Sequence, residues 1–369
     1  MIKLIKPNIS QDEIDAVSKV LASGMVVSGP VVYRFEQLLA NYLGIQYAVC
    51  VSSGTAALHL ALLAADIKSS DEVLVPAFTF PATANAVEIV GAIPVFIDCQ
   101  PGGVNLDVDK LVGCISSKTK AVIPVHAFGI PAELNQVLDV ARKYDLAVIE
   151  DAACALGSKY KGIYCGAFGD LAAFSFHPRK LLTTGEGGAV LTNDRTSAAT
   201  IKSLRNHGYD NGDYKQLGFN YRMTDFQAAM GVTQMENFET VLNERRKLAG
   251  TYRTMLSEIE WLEVIETDQS TESNVQTFVV KVSDDIDRDS LVNHLLLNGI
   301  ESTIGAYCVP LTYYYRLKYG FRPDEFPQAY AAYKRCLSLP LYSGMKVDDM
   351  ARVVEALSSY EENLKTESV

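Results

Sequence analysis

Residues Ser175–Gly188 read SFHPRKLLTTGEGG and lie between two apolar runs, Ala172–Phe176 and Gly188–Thr192. Most lysines are solvated surface groups. Lys180 differs, because it sits at a strand-to-loop junction ahead of a Thr- and Gly-rich stretch. Its amine is a nucleophile that needs a partner. Asp151 follows the run Leu146–Glu150 and so falls at the carboxyl end of a parallel strand, where open α/β sheets bind ligands. Taken alone, Asp151 reads equally well as a helix N-cap. Taken with Lys180 on the next strand end, it completes the pair that pyridoxal phosphate (PLP) requires. One group is an amine for the Schiff base, and the other is a carboxylate facing the pyridine nitrogen. The carboxylate keeps that nitrogen protonated, so the ring can accept electrons from a substrate carbanion.

Two further segments suit the same ligand. Ser52–Thr55 (SSGT) follows the run Tyr47–Val51 and precedes a helical pattern, so its backbone N–H groups and the helix dipole favour a phosphate. The ordinary reading is a capped helix. Residues Pro76–Asn85 (PAFTFPATAN) follow the run Glu72–Val75, and an aromatic there could stack on a flat ring, although most Phe residues are core. His177 beside the lysine is expected to orient the loop, with direct acid–base work as the alternative. His126, after Ala121–Val125, either faces the substrate or caps the next segment. Neither a GxGxxG nor a Walker A pattern is present, which argues against dinucleotide and NTP enzymes.

The elements that position these residues follow from periodicity. Seven short runs read as strands: Tyr47–Val51, Glu72–Val75, Pro94–Asp98, Ala121–Val125, Leu146–Glu150, Ala172–Phe176 and Gly188–Thr192. Several are apolar throughout, as strands covered on both faces must be. Helical patterns at Thr55–Ala65, Pro81–Val90 and Glu133–Tyr144 alternate with them, which predicts an α/β fold with a mostly parallel sheet. Thr224–Leu256 reads as a long helix. Beyond it the pattern changes to a strand at Val275–Val282, a helix at Asp287–Leu297, a polar surface loop at Thr267–Ser273 and a terminal amphipathic helix at Asp348–Leu364. We therefore expect a large α/β domain over residues 1–245, and a smaller α+β domain over 246–369 on which the N-terminal segment can pack. The length of 369 residues suits two such units, and an apolar content of 48% fills their cores.

Lys+Arg number 33 and Asp+Glu 44, giving a net charge of −11 that argues against general nucleic-acid binding. The N-terminal residues lack an apolar signal region, and no apolar run reaches the roughly 20 residues of a membrane span. The seven cysteines are scattered without a CxxC pair, so free thiols in a reducing cytoplasm are expected and a metal site is not.

The chain resembles the nucleotide-sugar (DegT-type) aminotransferases, a branch of the fold-type-I PLP enzymes. The resemblance is carried by Gly24–Pro30 (GMVVSGP), Ser53–Leu58 (SGTAAL), Glu150–Ala153 (EDAA), the lysine segment, Gly218–Thr224 (GFNYRMT) and Leu337–Leu341 (LSLPL). It implies that Lys180 carries PLP, Asp151 faces the pyridine nitrogen and Phe80 stacks on the ring. It also implies that Gly54, Thr55 and Ser175 hold the phosphate, and that Asn220 reaches the phosphate of a neighbouring subunit in a homodimer with shared active sites. Cys154 stands where many relatives carry Gln or His. A thiol is a poor hydrogen-bond donor, so the usual contact to the ring hydroxyl is altered here. The family's dehydratase branch has His in place of the lysine, so Lys180 favours amino transfer.

By the same resemblance, the amino donor is an amino acid, expected to be glutamate. The acceptor is a nucleotide-linked keto sugar used for cell-surface polysaccharide, such as the O-antigen of lipopolysaccharide, or for glycoconjugate and natural-product sugars. Thr183–Gly188 (TTGEGG) looks more like relatives that act at C4 of a 4-keto-6-deoxy sugar than at C3. The alternatives are a 3-keto-sugar aminotransferase, a PLP lyase and a non-catalytic PLP-containing regulator.

Overall fold

The computed structural model describes residues 1–265 and 270–367. At its centre is a seven-stranded sheet made of β1 (Tyr47–Val51), β2 (Glu72–Pro76), β3 (Ile93–Ile97), β4 (Thr119–Val122), β5 (Ala147–Asp151), β6 (Leu171–Ser175) and β7 (Gly188–Thr192). All seven apolar runs enter this one sheet, in the spatial order β1-β7-β6-β5-β4-β2-β3. The pairs β2/β3, β2/β4, β4/β5 and β5/β6 are parallel, whereas β7 runs antiparallel to both β1 and β6. The sheet is therefore mixed and largely parallel.

The apolar-throughout strands are explained by a core on each face. Val49 and Val51 of β1 join a cluster with Ala57, Leu58 and Leu60 of the helix Gly54–Ala64. Ala48 and Cys50 point the other way, into a cluster with Phe35, Leu39, Ala228 and Phe238 from the helices Pro30–Leu43 and Asp225–Leu256. Phe174 of β6 is 1% exposed within this second cluster, and removing such a side chain typically costs about 3–5 kcal/mol.

Five helices matter below: α1 (Pro30–Leu43), α2 (Gly54–Ala64), α3 (Ala82–Ile89), α4 (Leu134–Tyr144) and α5 (Asp225–Leu256). Helix α5 opens on a capping box between Thr224 and Gln227 and continues for 32 residues. Its first residue, Asp225, accepts the amides of Gly29 at 2.8 Å and Val32 at 2.9 Å, tying the GMVVSGP turn and the start of α1 to α5.

The C-terminal part contains a second sheet of β8 (Leu262–Val264), β9 (Phe278–Val282), β10 (Thr303–Ile304) and β11 (Cys336–Leu339), ordered β8-β9-β11-β10 and wholly antiparallel. Its apolar cluster takes in Ile2, whose amide bonds to the Gly299 carbonyl at 2.8 Å. The expected strand at Val275 begins only at Phe278. Val275 has φ +51°, a left-handed conformation that a β-branched residue rarely adopts and that breaks a strand. Of the expected loop Thr267–Ser273, residues 267–269 lie outside the described set, while Thr271–Glu272 pair with Lys159–Tyr160.

Candidate active site

The carboxyl ends of β2, β5 and β6 converge on one region. Asp151 is the last residue of β5 and is 6% exposed. Its Oδ2 accepts the hydroxyl proton of Thr83 at 2.7 Å, and its Oδ1 accepts the Ala153 amide at 3.2 Å. Thr83 is a fully buried residue of α3, and its hydroxyl lies 3.0 Å from that of Thr79. Because Thr83 donates to the carboxylate, Thr79 donates to Thr83. Two buried hydroxyls thus lead into one oxygen of Asp151. A carboxylate has about four acceptor sites, so these two donors leave capacity for a further one.

Lys180 is half-buried in the loop after β6. Its amide bonds to the His177 carbonyl at 2.8 Å, forming a tight turn. Its Nζ lies 3.0 Å from Cys154 Sγ, three residues beyond Asp151. The structure thus brings together Lys180, Cys154 and the strand end bearing Asp151. His177 orients this loop: its Nδ1 accepts the Arg179 amide at 3.1 Å. Burial lowers its pKa, and the positive charges of Lys180 and Arg179 act in the same direction against the opposing pull of Glu186.

The SSGT turn packs against the end of β6. Ser53 caps α2 by accepting the Ala56 amide at 3.1 Å. The amides of Gly54 and Thr55 have no acceptor among the described residues. A side chain at Gly54 would put a Cβ 2.8 Å from the Ser175 Cβ and 3.2 Å from its hydroxyl. The missing side chain therefore lets the N-terminus of α2 approach Ser175 closely. Phe80 is 66% exposed, and its ring is met edge-on by Tyr307 at 6.3 Å. Residues Phe78–Thr79 pair with Tyr307–Cys308, so a segment from the C-terminal half flanks the Phe80 loop. Asn220 is exposed and bridges to Asn206, while the next residue, Tyr221, accepts the Ser52 amide at 2.8 Å.

His126 does not face the site. It is fully buried, with Nε2 3.0 Å from Glu150 Oε2 and Nδ1 accepting the Ala132 amide at 3.1 Å. That amide makes Nδ1 an acceptor, which places the ring proton on Nε2, facing Glu150. Glu150 also accepts the amides of Gly166, Phe168 and Gly169 at 2.7–2.8 Å. Burial pushes its pKa up, but the His126 bond and the Gly169 and Gly166 amides outweigh this, so it is held below its usual value.

Sequence reasoning missed Thr83 and Gln276. Thr83 stands inside a helical pattern, and nothing local marks a partner 68 residues away. Gln276 bonds to the backbone on both sides of Lys180, but its sequence surroundings predict only a strand.

The residues present fit PLP on three grounds: the Gly54–Ser175 approach beneath unbonded helix amides, the unsaturated buried carboxylate, and the amine beside Cys154. Fold and comparisons agree on the class, an aminotransferase that uses PLP. Residues 7–358 match the DegT/DnrJ/EryC1/StrS aminotransferase family, and the chain belongs to it. It is 36% identical over 370 residues to GDP-perosamine synthase of Caulobacter vibrioides, covering 96% of this chain and 97% of that one. It is 36% identical over 368 residues to the spore coat polysaccharide biosynthesis protein SpsC of Bacillus subtilis, covering 95% of each. The PLP form of Spr1654 from Streptococcus pneumoniae superposes with a TM-score of 0.92 at 28% identity, covering 97% of each chain.

Proposed function

We propose that this protein moves an amino group from glutamate to C4 of a nucleotide-linked 4-keto-6-deoxy sugar, in the cytoplasm, for cell-surface polysaccharide or related glycoconjugates. The observation that carries the reading is the convergence of Lys180 Nζ on Cys154, at the strand end that bears Asp151. Support for the substrate class comes from the TTGEGG segment and from relatives named for a GDP-linked amino sugar and for a coat polysaccharide.

In this reading Lys180 binds the cofactor through Nζ and Asp151 faces its ring nitrogen. Phe80 stacks on the ring, and the amides of Gly54 and Thr55, with the Ser175 hydroxyl, hold its phosphate. Cys154 lines the ring edge, and Asn220 reaches the phosphate of the partner in a homodimer. When bound, PLP supplies an electron sink for carbanion chemistry at the carbon bearing the amine. Lys180 Nζ would be the group placed to take the proton from the substrate carbon and return it. The Thr83 hydroxyl and the Ala153 amide hold the Asp151 carboxylate in place. With the keto sugar as acceptor, the same Nζ would deliver the proton in the opposite sense.

The test is a screen of nucleotide-linked keto sugars with glutamate as donor, with products read by mass spectrometry and NMR. A 4-amino sugar formed in equal amount with 2-oxoglutarate is expected. Amination at C3, keto acid without aminated sugar, or no turnover with any acceptor overturns the proposal.

A further inference from the structure

The lysine loop carries a restraint from a distant part of the chain. Gln276 is 3% exposed and lies 96 residues beyond Lys180. Its Oε1 accepts the Leu181 amide at 2.9 Å, and its Nε2 donates to the Arg179 carbonyl at 2.5 Å. One carboxamide therefore holds the peptide groups on both sides of Lys180. A slide of the loop in either direction breaks one of these bonds.

Gln276 is itself held firmly. Val275, beside it, has the left-handed φ of +51°, a strained state that persists only where its surroundings enforce it. Here they do. The Val275 amide donates to Ser273 Oγ at 2.9 Å. Arg245, 5% exposed on α5, donates Nε to the Val275 carbonyl at 2.6 Å and Nη2 to the Gln276 carbonyl at 2.8 Å. Asn274 Oδ1 accepts the Gln276 amide at 2.8 Å, while its Nδ2 donates to the carbonyls of Cys154 at 2.9 Å and Leu156 at 2.8 Å. The strap 274–276 thus grips both groups that meet at 3.0 Å, the Cys154 turn through Asn274 and the Lys180 loop through Gln276.

We infer that Gln276 is a positioning residue for Lys180: it fixes the lysine backbone so that Nζ returns to one place each time it takes up or gives up the cofactor. The inference rests on Lys180 being the cofactor-bearing lysine, as proposed above. It makes a distinction that general structural damage does not. PLP is held partly through Lys180 Nζ, whereas pyridoxamine phosphate has no bond to the lysine and depends on the other contacts alone. Losing the restraint must therefore weaken the first ligand and spare the second.

The experiment measures the affinity of full-length apoprotein for each cofactor form, for wild type, Gln276→Leu and Gln276→Glu. Gln276→Leu removes both bonds, and Gln276→Glu keeps an acceptor for Leu181 while losing the donor to Arg179. PLP affinity is expected to fall about tenfold in Gln276→Leu and less in Gln276→Glu, the scale of one or two neutral hydrogen bonds. Pyridoxamine phosphate affinity is expected to stay within about twofold of wild type by the same reasoning. Equal weakening of both ligands, or of neither, overturns the inference. If Gln276→Leu does not fold, Gln276→Glu decides by the same ratio. Borohydride reduction and peptide mapping of the wild-type holoenzyme test the underlying assignment separately, because a label on another lysine rejects Lys180 whatever the variants do.

Discussion

Glu150 and Asp151 are adjacent carboxylates on one strand end, and the alternation of a β-strand sends them to opposite faces of the sheet. Glu150 is completely buried, and all its acceptor capacity is used by three backbone amides and His126. Asp151 is almost as buried but has only the Thr83 hydroxyl and the Ala153 amide. Both are ionisable and both sit at the end of a parallel strand. They differ in what is left unmet. A saturated carboxylate can only hold structure, here pinning the 166–169 turn to β5. An unsaturated one keeps acceptor capacity that a ligand can use. Burial alone would have ranked Glu150 as the better site residue.

The contrast can be broken by substitution. The largest effect is expected outside the pair, at Lys180. Lys180→Ala should keep the fold but lower turnover more than about 10^3-fold, because no other amine replaces both the Schiff-base nitrogen and the proton shuttle. Near-UV circular dichroism and borohydride labelling followed by peptide mapping would check this.

Glu150→Gln should cost about 3 kcal/mol of stability in denaturant titrations, since it leaves buried donors facing an amide. The acid limb adds a second readout. The folded carboxyl is held below its usual value, so its contribution is complete above the unfolded pKa of about 4.3 and is lost as pH falls through the folded pKa. The variant should therefore lose less stability than wild type on acidification below about pH 4.3.

Asp151→Asn should show the opposite pattern, with turnover down about 10^2-fold and PLP still bound. Near-normal turnover would mean that Asp151 is no more than a cap and that the contrast with Glu150 is empty.

The smallest effect is expected at Asn220. Asn220→Ala should weaken PLP retention by about tenfold, the scale of one charge-assisted bond. Mixing Lys180→Ala with Asn220→Ala subunits sharpens the result. If Asn220 serves the partner's site, one site in each mixed dimer keeps a wild-type lysine and a wild-type partner loop, and activity recovers. A verified heterodimer without recovery would reject the shared site.

The large sheet was readable in the sequence because its strands are covered on both faces, which leaves continuous apolar runs such as Tyr47–Val51 and Gly188–Thr192. Lys180 and Asp151 were readable because each follows such a run at a place where chain direction puts ligands. What escaped depends on pairing across the fold. The strands Phe78–Thr79 and Tyr307–Cys308 are two residues long, too short to carry a period, and each exists because the other is there. Thr83 and Gln276 are ordinary polar residues until a partner 68 or 95 residues away is known. The left-handed Val275 was hidden for a related reason. Its side chain favours a strand, and the bonds to its carbonyl and amide from Arg245 and Ser273 override that preference.

The close approach of Gly54 to Ser175 has a consequence for anyone who would redesign this scaffold. The two positions lie 121 residues apart in sequence yet share one steric volume, since any side chain at Gly54 meets the Ser175 Cβ at 2.8 Å. Scanning them one at a time would return uniform failure at Gly54 and would misstate what the pocket tolerates, because neighbouring substitutions do not add. A combinatorial library should vary them together. Ser175→Gly clears both of the side-chain atoms that Gly54→Ala would strike, but it also deletes the serine hydroxyl, and its backbone Cα still lies 3.3 Å from the new methyl carbon. The accessible route to a side chain at this turn is therefore a paired exchange accompanied by a small backbone shift, and not a point mutation.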